Sequence, residues 1–288
     1  MRLRRTLKNI AKSGQLAKVL VSGKWHITDA MIKTAQPVVA RKIDGLEVFI
    51  YKDAQQVTER AANEMIAALK AAPEPKLGLA TGGTFEPIYA AVAELAGKRD
   101  CSFSRATTFN LDEYVGLPPE DPQSYHHYMH HHFFSKVDMP TDREFLPDGM
   151  QVDPKRAAAE YDDLIGKNGG IDVQFLGLGV NGHIGFNEPK TPFDSRTHVV
   201  ELTESTLQAN SRYFQDRKMP TEAITMGIGT ILESRRVVLV ATGAAKAPII
   251  RKIFEVEMTE EILATALKGH PNAVILLDAA SASEAFER

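Results

Sequence analysis

The chain has 288 residues and a mass of 31.7 kDa, room for one large domain or two ordinary ones. Its 43% hydrophobic and 25% charged residues exclude disordered and fibrous classes. A single cysteine, Cys101, excludes an internal disulfide framework and fits a reducing compartment such as the cytoplasm, and no apolar run approaches the roughly eighteen residues that a membrane span needs.

The net charge of −3 is unevenly spread. Seven basic residues (Arg2, Arg4, Arg5, Lys8, Lys12, Lys18, Lys24) precede the first acid, Asp29, so taking their charge from the total leaves −10 for the remainder. An acidic body is a poor general nucleic-acid binder, and only the basic arm could play that part. Within the arm Leu3, Leu7, Ile10, Leu16, Leu20 and Val21 share one helical face. A membrane- or nucleic-acid-binding arm, a transit-like targeting segment and an added helix on the body all fit that pattern. A packed or frayed extension is favoured, because basic amphipathic helices are common on ordinary surfaces.

From residue 46 the pattern predicts alternating strands and helices: a strand at 46–51, a helix at 53–72 N-capped by Asp53, a strand at 76–80 and a helix through about residue 95. A further strand precedes Asp112, and others follow at 172–178, 236–241 and 273–277. This predicts an α/β fold with a mostly parallel sheet covered on both faces. The reading is one domain, 46–288, after an extension at 1–45. Ligands in such sheets gather at the carboxyl ends of the strands.

Several motifs fall at those ends. Thr81, Gly82, Gly83 and Thr84 follow the strand at 76–80, and a glycine turn leading into a helix start can cradle an anion; a plain strand-to-helix turn is the alternative. No Gly-Lys-Ser/Thr follows, so this is not a nucleotide P-loop. Gly177, Gly179 and Gly182 match the dinucleotide fingerprint formally. The match is rejected, because Pro189 and Pro192 interrupt any following helix and the motif lies past mid-chain. What remains is a loop carrying His183 and Glu188, a pair suited to proton transfer or merely an incidental surface pair. Asp112 and Glu113 are a base with a structural partner, or a solvated turn. Arg212 and Lys246 are single cations, Lys246 just after Thr242 and Gly243 at a strand end. Five histidines crowd 126–132, where His126/His130 and His127/His131 have metal-binding spacing; without an HExxH frame or a distant acidic ligand, an exposed helix face is favoured and no metal site is expected.

In this order the motifs resemble the glucosamine-6-phosphate deaminase (isomerase) family. The matching segments are LGLATGGT at 77–84, TFNLDEYVGL at 108–117, GHIGFNEP at 182–189, ANSR at 209–212 and TGAAK at 242–246. The resemblance covers roughly 46–278 and excludes the arm. It implies a Rossmann-like fold, conversion of glucosamine 6-phosphate and water to fructose 6-phosphate and ammonia, and neither a redox cofactor nor a catalytic metal. By the same resemblance Asp112 is the base moving a proton between C2 and C1. His183 assists ring opening with Glu188 as its charged partner, and Thr81, Gly82, Gly83, Thr84, Arg212 and Lys246 hold the phosphate.

Three positions depart from the family pattern. Asn181 stands where some members have an Asp, so Glu188 alone is expected to supply the charge behind His183. Phe85 replaces a frequent Pro after the phosphate loop, which puts the loop's rigidity in question. His198 and Val200 occupy positions of the basic effector site of allosteric members. Galactosamine 6-phosphate is the nearest rival substrate. The 6-phosphogluconolactonases share the fold, but residues 186–189 favour the deaminase branch. A non-catalytic sugar-phosphate sensor would not need Asp112, His183 and Glu188. Partners are then a small sugar phosphate, no membrane, no nucleic acid for the body, and an oligomeric state left open.

Overall fold

Two-residue turns and apolar strands set the frame. Strand β1 (Val39–Ile43) pairs antiparallel with β2 (Leu46–Tyr51) across Asp44 and Gly45, whose φ angles of 50° and 85° suit a tight Asp-Gly hairpin. The structure, a computed structural model, describes residues 36–99, 101–211, 214 and 218–286; the basic arm and Arg212 lie outside the described residues. Residues 39–43, on the extension side of the expected boundary, thus form the edge of the sheet.

Asp53 caps helix α1 (Ala54–Ala71), its Oδ1 accepting from Gln56 N at 3.0 Å, and the helix buries Val57, Ala61, Met65 and Ala68. Strand β3 (Lys76–Leu79) leads to α2 (Glu86–Arg99), and β4 (Thr107–Asn110) follows. After β6 (Glu144–Phe145), helix α4 (Pro154–Lys167) returns the chain to β7 (Val173–Leu176). Strands β10 (Arg236–Ala241) and β11 (Ala273–Asp278) complete an eight-stranded sheet in the order β1-β2-β11-β10-β7-β3-β4-β6. Every pairing except β1 with β2 is parallel. β11 is buried throughout and β10 nearly so, as an apolar strand covered on both faces must be. The strand expected at 172–178 ends at Leu176, because the backbone turns away at Gly177 to begin the loop above the sheet.

Chain direction across the sheet reverses between β3 and β7: β4 and β6 add outward from one, β10 and β11 from the other. Such a reversal opens a crevice at the carboxyl ends of the flanking strands.

A second, three-stranded antiparallel sheet was not anticipated from the sequence. It joins β5 (Asp112–Tyr114), β9 (Glu222–Thr225) and β8 (His198–Glu201) in the order β5-β9-β8. Only Leu111 separates β4 from β5. Leu111 N–H donates to Leu79 O at 3.0 Å, and its carbonyl accepts from Met226 N at 2.7 Å, so one residue joins the two sheets.

Behind the main sheet, Glu64 on α1 is fully buried and accepts from Arg60 Nη2 at 2.6 Å and Arg236 Nη2 at 3.2 Å. Burial opposes its charge, but Arg236 and Arg60 together hold its carboxyl below the usual range. Glu64→Ala would leave two guanidinium groups without this buried counter-charge. It should cost about 3–5 kcal/mol of stability in urea unfolding, and a loss under about 1 kcal/mol would show that the network does not hold α1 to β10.

Candidate active site

Adjacent strands β10, β7, β3 and β4 carry the sequence motifs to one edge of the sheet, where a cleft of about 670 Å³ is lined by Thr81, Gly82, Asp112, His183, Tyr128 and Lys246, among others. Its floor begins at β3. Gly82 has φ 96°, and a side chain on Gly82 or Gly83 would meet nothing within 4 Å, so this backbone faces open space. Phe85, where a proline was the familiar residue, fixes the turn by burial instead. It is fully buried, its N–H donates to Gly82 O at 2.8 Å, and its ring lies 5.8 Å from that of Tyr89. Helix α2 starts at the next residue, pointing its positive end at the loop.

Asp112, at the β4–β5 junction, is 6% exposed. Burial, with help from the neighbouring charge of Glu113, pushes its carboxyl up from the ordinary 3.8 to about 8. Gly185 passes close above it at φ 59°; a Cβ there would stand 2.9 Å from Thr225 Oγ1 and 3.4 Å from Asp112 Oδ2. Glu113 points elsewhere. It caps helix α3 (Tyr125–His132), accepting from Tyr125 N at 3.0 Å, His126 N at 3.0 Å and His126 Nδ1 at 2.9 Å. The pair is therefore buried and not a solvated turn, with Glu113 in a structural role.

After β7, residues 177–189 form an irregular loop with no helix, which explains why the dinucleotide fingerprint fails. Gly179 is a glycine because the imidazole of His183 lies over it: a Cβ there would come within 2.3 Å of the ring. Burial, and secondarily Lys246, lower the His183 pKa against the opposing charge of Glu188, so the ring is neutral at neutral pH. Asn181 does not reach the imidazole with its side chain. It accepts from the backbone N–H of His183 at 3.2 Å and donates to Glu188 Oε2 at 3.0 Å. The other Glu188 oxygen accepts from Thr203 Oγ1 at 3.0 Å and Thr206 Oγ1 at 2.6 Å. These threonines, at the start of α5 (Glu204–Ser211), escaped the sequence reading; a Thr three residues before another at a helix start was their only signal.

Lys246 projects from the turn after β10, where Gly243 at φ 88° donates its N–H to both Asp278 oxygens at 3.0 and 3.1 Å. Burial lowers its pKa. The structure thus brings together Thr81, Gly82, Gly83, Thr84, Asp112, His183 and Lys246 on one cleft, with Glu188 behind the loop.

The histidine helix is not simply an exposed face, as expected. His126 bonds Glu113, while His127, His131 and His132 line the mouth of the cleft. Among the described residues no cluster of three or more metal-ligating side chains occurs. Tyr125 and Tyr128 of this helix, also missed in the sequence, bond Thr81 and Gly82 of the glycine turn respectively.

The sequence model of the glucosamine-6-phosphate isomerases/6-phosphogluconolactonase family matches residues 52–276. A glucosamine-6-phosphate deaminase of Bacillus velezensis is 47% identical over 234 residues, covering 81% of this chain and 97% of the relative. One of Rhodopirellula baltica is 46% identical over 242 residues, covering 84% and 96%. Among solved structures, a monomeric glucosamine-6-phosphate deaminase superposes with a TM-score of 0.80 at 43% identity, covering 82% of this chain and 99% of that one. The 6-phosphogluconolactonase of Trypanosoma brucei reaches 0.65 at 20% identity, covering 85% and 99%, which is a likeness of fold. With the family model matching residues 52–276 and a relative 47% identical over 81% of its length, the chain belongs to the glucosamine-6-phosphate isomerase/6-phosphogluconolactonase family.

Proposed function

We propose that this protein is a glucosamine-6-phosphate deaminase, converting glucosamine 6-phosphate and water to fructose 6-phosphate and ammonia. One observation carries the reading: a buried, proton-retaining carboxyl, Asp112, shares a cleft with an anion-cradling turn, Thr81–Thr84, and with Lys246. Aldose–ketose chemistry needs one carboxylate beside C1 and C2, and a phosphate held at the far end supplies the binding energy that positions them. A deaminase 47% identical over 234 residues supports the reading.

Neutral His183 can take a proton from the C1 hydroxyl and return one to the ring oxygen, opening the sugar to its aldehyde. Asp112 as carboxylate then removes the C2 proton while the C2 ammonium passes a proton to O1, giving a C1–C2 enolamine, and Asp112 delivers its proton to C1. The product is a C2 iminium. Water adds to it, and ammonia leaves with formation of the C2 ketone. The cationic amine of the substrate favours the ionised form of Asp112 on binding, so the base is created in the complex. Backbone N–H groups at the start of α2 and the Lys246 ammonium hold the phosphate, Arg212 joining them from outside the described residues. Every group in this scheme comes from one chain, in line with the monomeric relative. No helix among the described residues is long and apolar enough to cross a membrane, and we place the enzyme in the cytoplasm.

Asp112→Asn should lower kcat for ammonia release by about 10²–10⁴-fold with KM within a few-fold; a variant with wild-type kcat would refute the assignment. Its stability signature is also defined. The native carboxyl keeps its proton to about pH 8 while an unfolded one loses it near 3.8, so this group costs the wild type stability as pH rises between them. Asp112→Asn should therefore raise the melting temperature relative to wild type more at pH 9 than at pH 5.

Glu188→Gln should cost far more activity than Asn181→Ala, since only Glu188 supplies charge behind His183; equal losses would contradict that division. With His198 and Val200 in the effector positions, N-acetylglucosamine 6-phosphate should leave the steady-state rate unchanged. Galactosamine 6-phosphate, assayed beside glucosamine 6-phosphate, should be the poorer substrate.

A further inference from the structure

Helix α3 spans the two ends of the site. At its start Glu113 accepts the N–H groups of Tyr125 and His126, and Ser124 Oγ that of His127 at 3.0 Å, which pins the helix to the residue next to Asp112. One turn later the Tyr128 hydroxyl donates to the carbonyl of Gly82 at 2.9 Å. Phe85 N–H donates to the same carbonyl at 2.8 Å. The Tyr128 ring is held against His132, with centroids 4.4 Å apart, and against Tyr125 at 6.4 Å.

Gly82 and Gly83 have no side chains to steady them, and space around both is open to 4 Å. Such a pair of glycines turns its shared peptide at little steric cost. The peptide is trans, so its carbonyl and its N–H point in opposite directions. Holding the Gly82 carbonyl toward Tyr128 and Phe85 therefore aims the Gly83 N–H the other way, out of the start of α2. Gly83 lines the cleft.

We propose that Tyr128 is a positioning residue for substrate binding: its hydroxyl locks the Gly82–Gly83 peptide so that the Gly83 N–H faces the phosphoryl group. Through α3 and Glu113 the phosphate loop is thereby held in register with Asp112. The proposal rests on the sugar-phosphate reading above. Tyr128 acts on the loop and not on the reacting carbons, so its loss weakens binding of the remote phosphate and leaves the proton transfer intact.

Tyr128→Phe removes the hydroxyl and keeps the ring. Calorimetric titration with inorganic phosphate, thermal melting and steady-state ammonia release would be compared for wild type, Tyr128→Phe and Asp112→Asn. Loss of this one hydrogen bond should raise both the Kd for phosphate and the KM for glucosamine 6-phosphate by about five- to twentyfold. The kcat should stay within about twofold and the melting temperature within a few degrees, while Asp112→Asn binds phosphate as wild type does. Wild-type phosphate affinity in Tyr128→Phe, or a loss falling on kcat with KM unchanged, would overturn the inference alone. A wild type that binds no phosphate would overturn the sugar-phosphate reading and the inference with it.

Discussion

The structure turns on one buried carboxyl. Asp112 sits where the chain leaves the main parallel sheet and enters the small antiparallel one, with Leu111 bonded to both. Burial there keeps a proton on the group to about pH 8, which suits a base that must both take and return a proton near neutrality. Its neighbours are arranged around that requirement. Gly185 gives the loop room to close over it, and Glu113 turns away to cap α3.

The second constraint is charge. Past the basic arm the chain carries a net −10, so its overall charge does not attract a dianion. On the proposed reading anion recognition depends instead on short-range, directional groups: the glycine turn at the end of β3, the start of α2 and a half-buried Lys246. These come from β3 and β10, on either side of the crevice where strand order reverses, while Asp112 opens β5 just past β4 and His183 lies in the loop after β7. The glycine turn, Asp112 and His183 are thus placed by one topological feature, and α3 ties the turn to the residue beside Asp112.

Much of this was legible in the sequence because it rests on strong local signals. Apolar runs marked β2, β3, β7, β10 and β11, Asp53 marked the start of α1, and the Thr81–Thr84 turn and Asp112 stood where strand ends were expected. The small sheet was not legible: β5 is three residues, two of them acidic, and its burial comes from partners over a hundred residues away at Thr225 and Ile224. The histidine run misled for a related reason. Its spacing speaks of a helix face but not of what that face meets, and Tyr125 and Tyr128, beside and within the run, which reach the glycine turn, carry no motif of their own. Asn181 was recognisable as a departure, yet only the fold shows that its amide serves the loop backbone and Glu188, with the imidazole left to burial and to the charge of Glu188.

The central claim, that a single fixed carboxyl moves the proton between C2 and C1, is tested most directly by running the reaction in D₂O and locating deuterium in the fructose 6-phosphate by NMR. Asp112 lines a cleft open to solvent, so its acidic proton exchanges. The account predicts deuterium at C1 on one face only. Deuterium spread equally over both faces of C1 would contradict it.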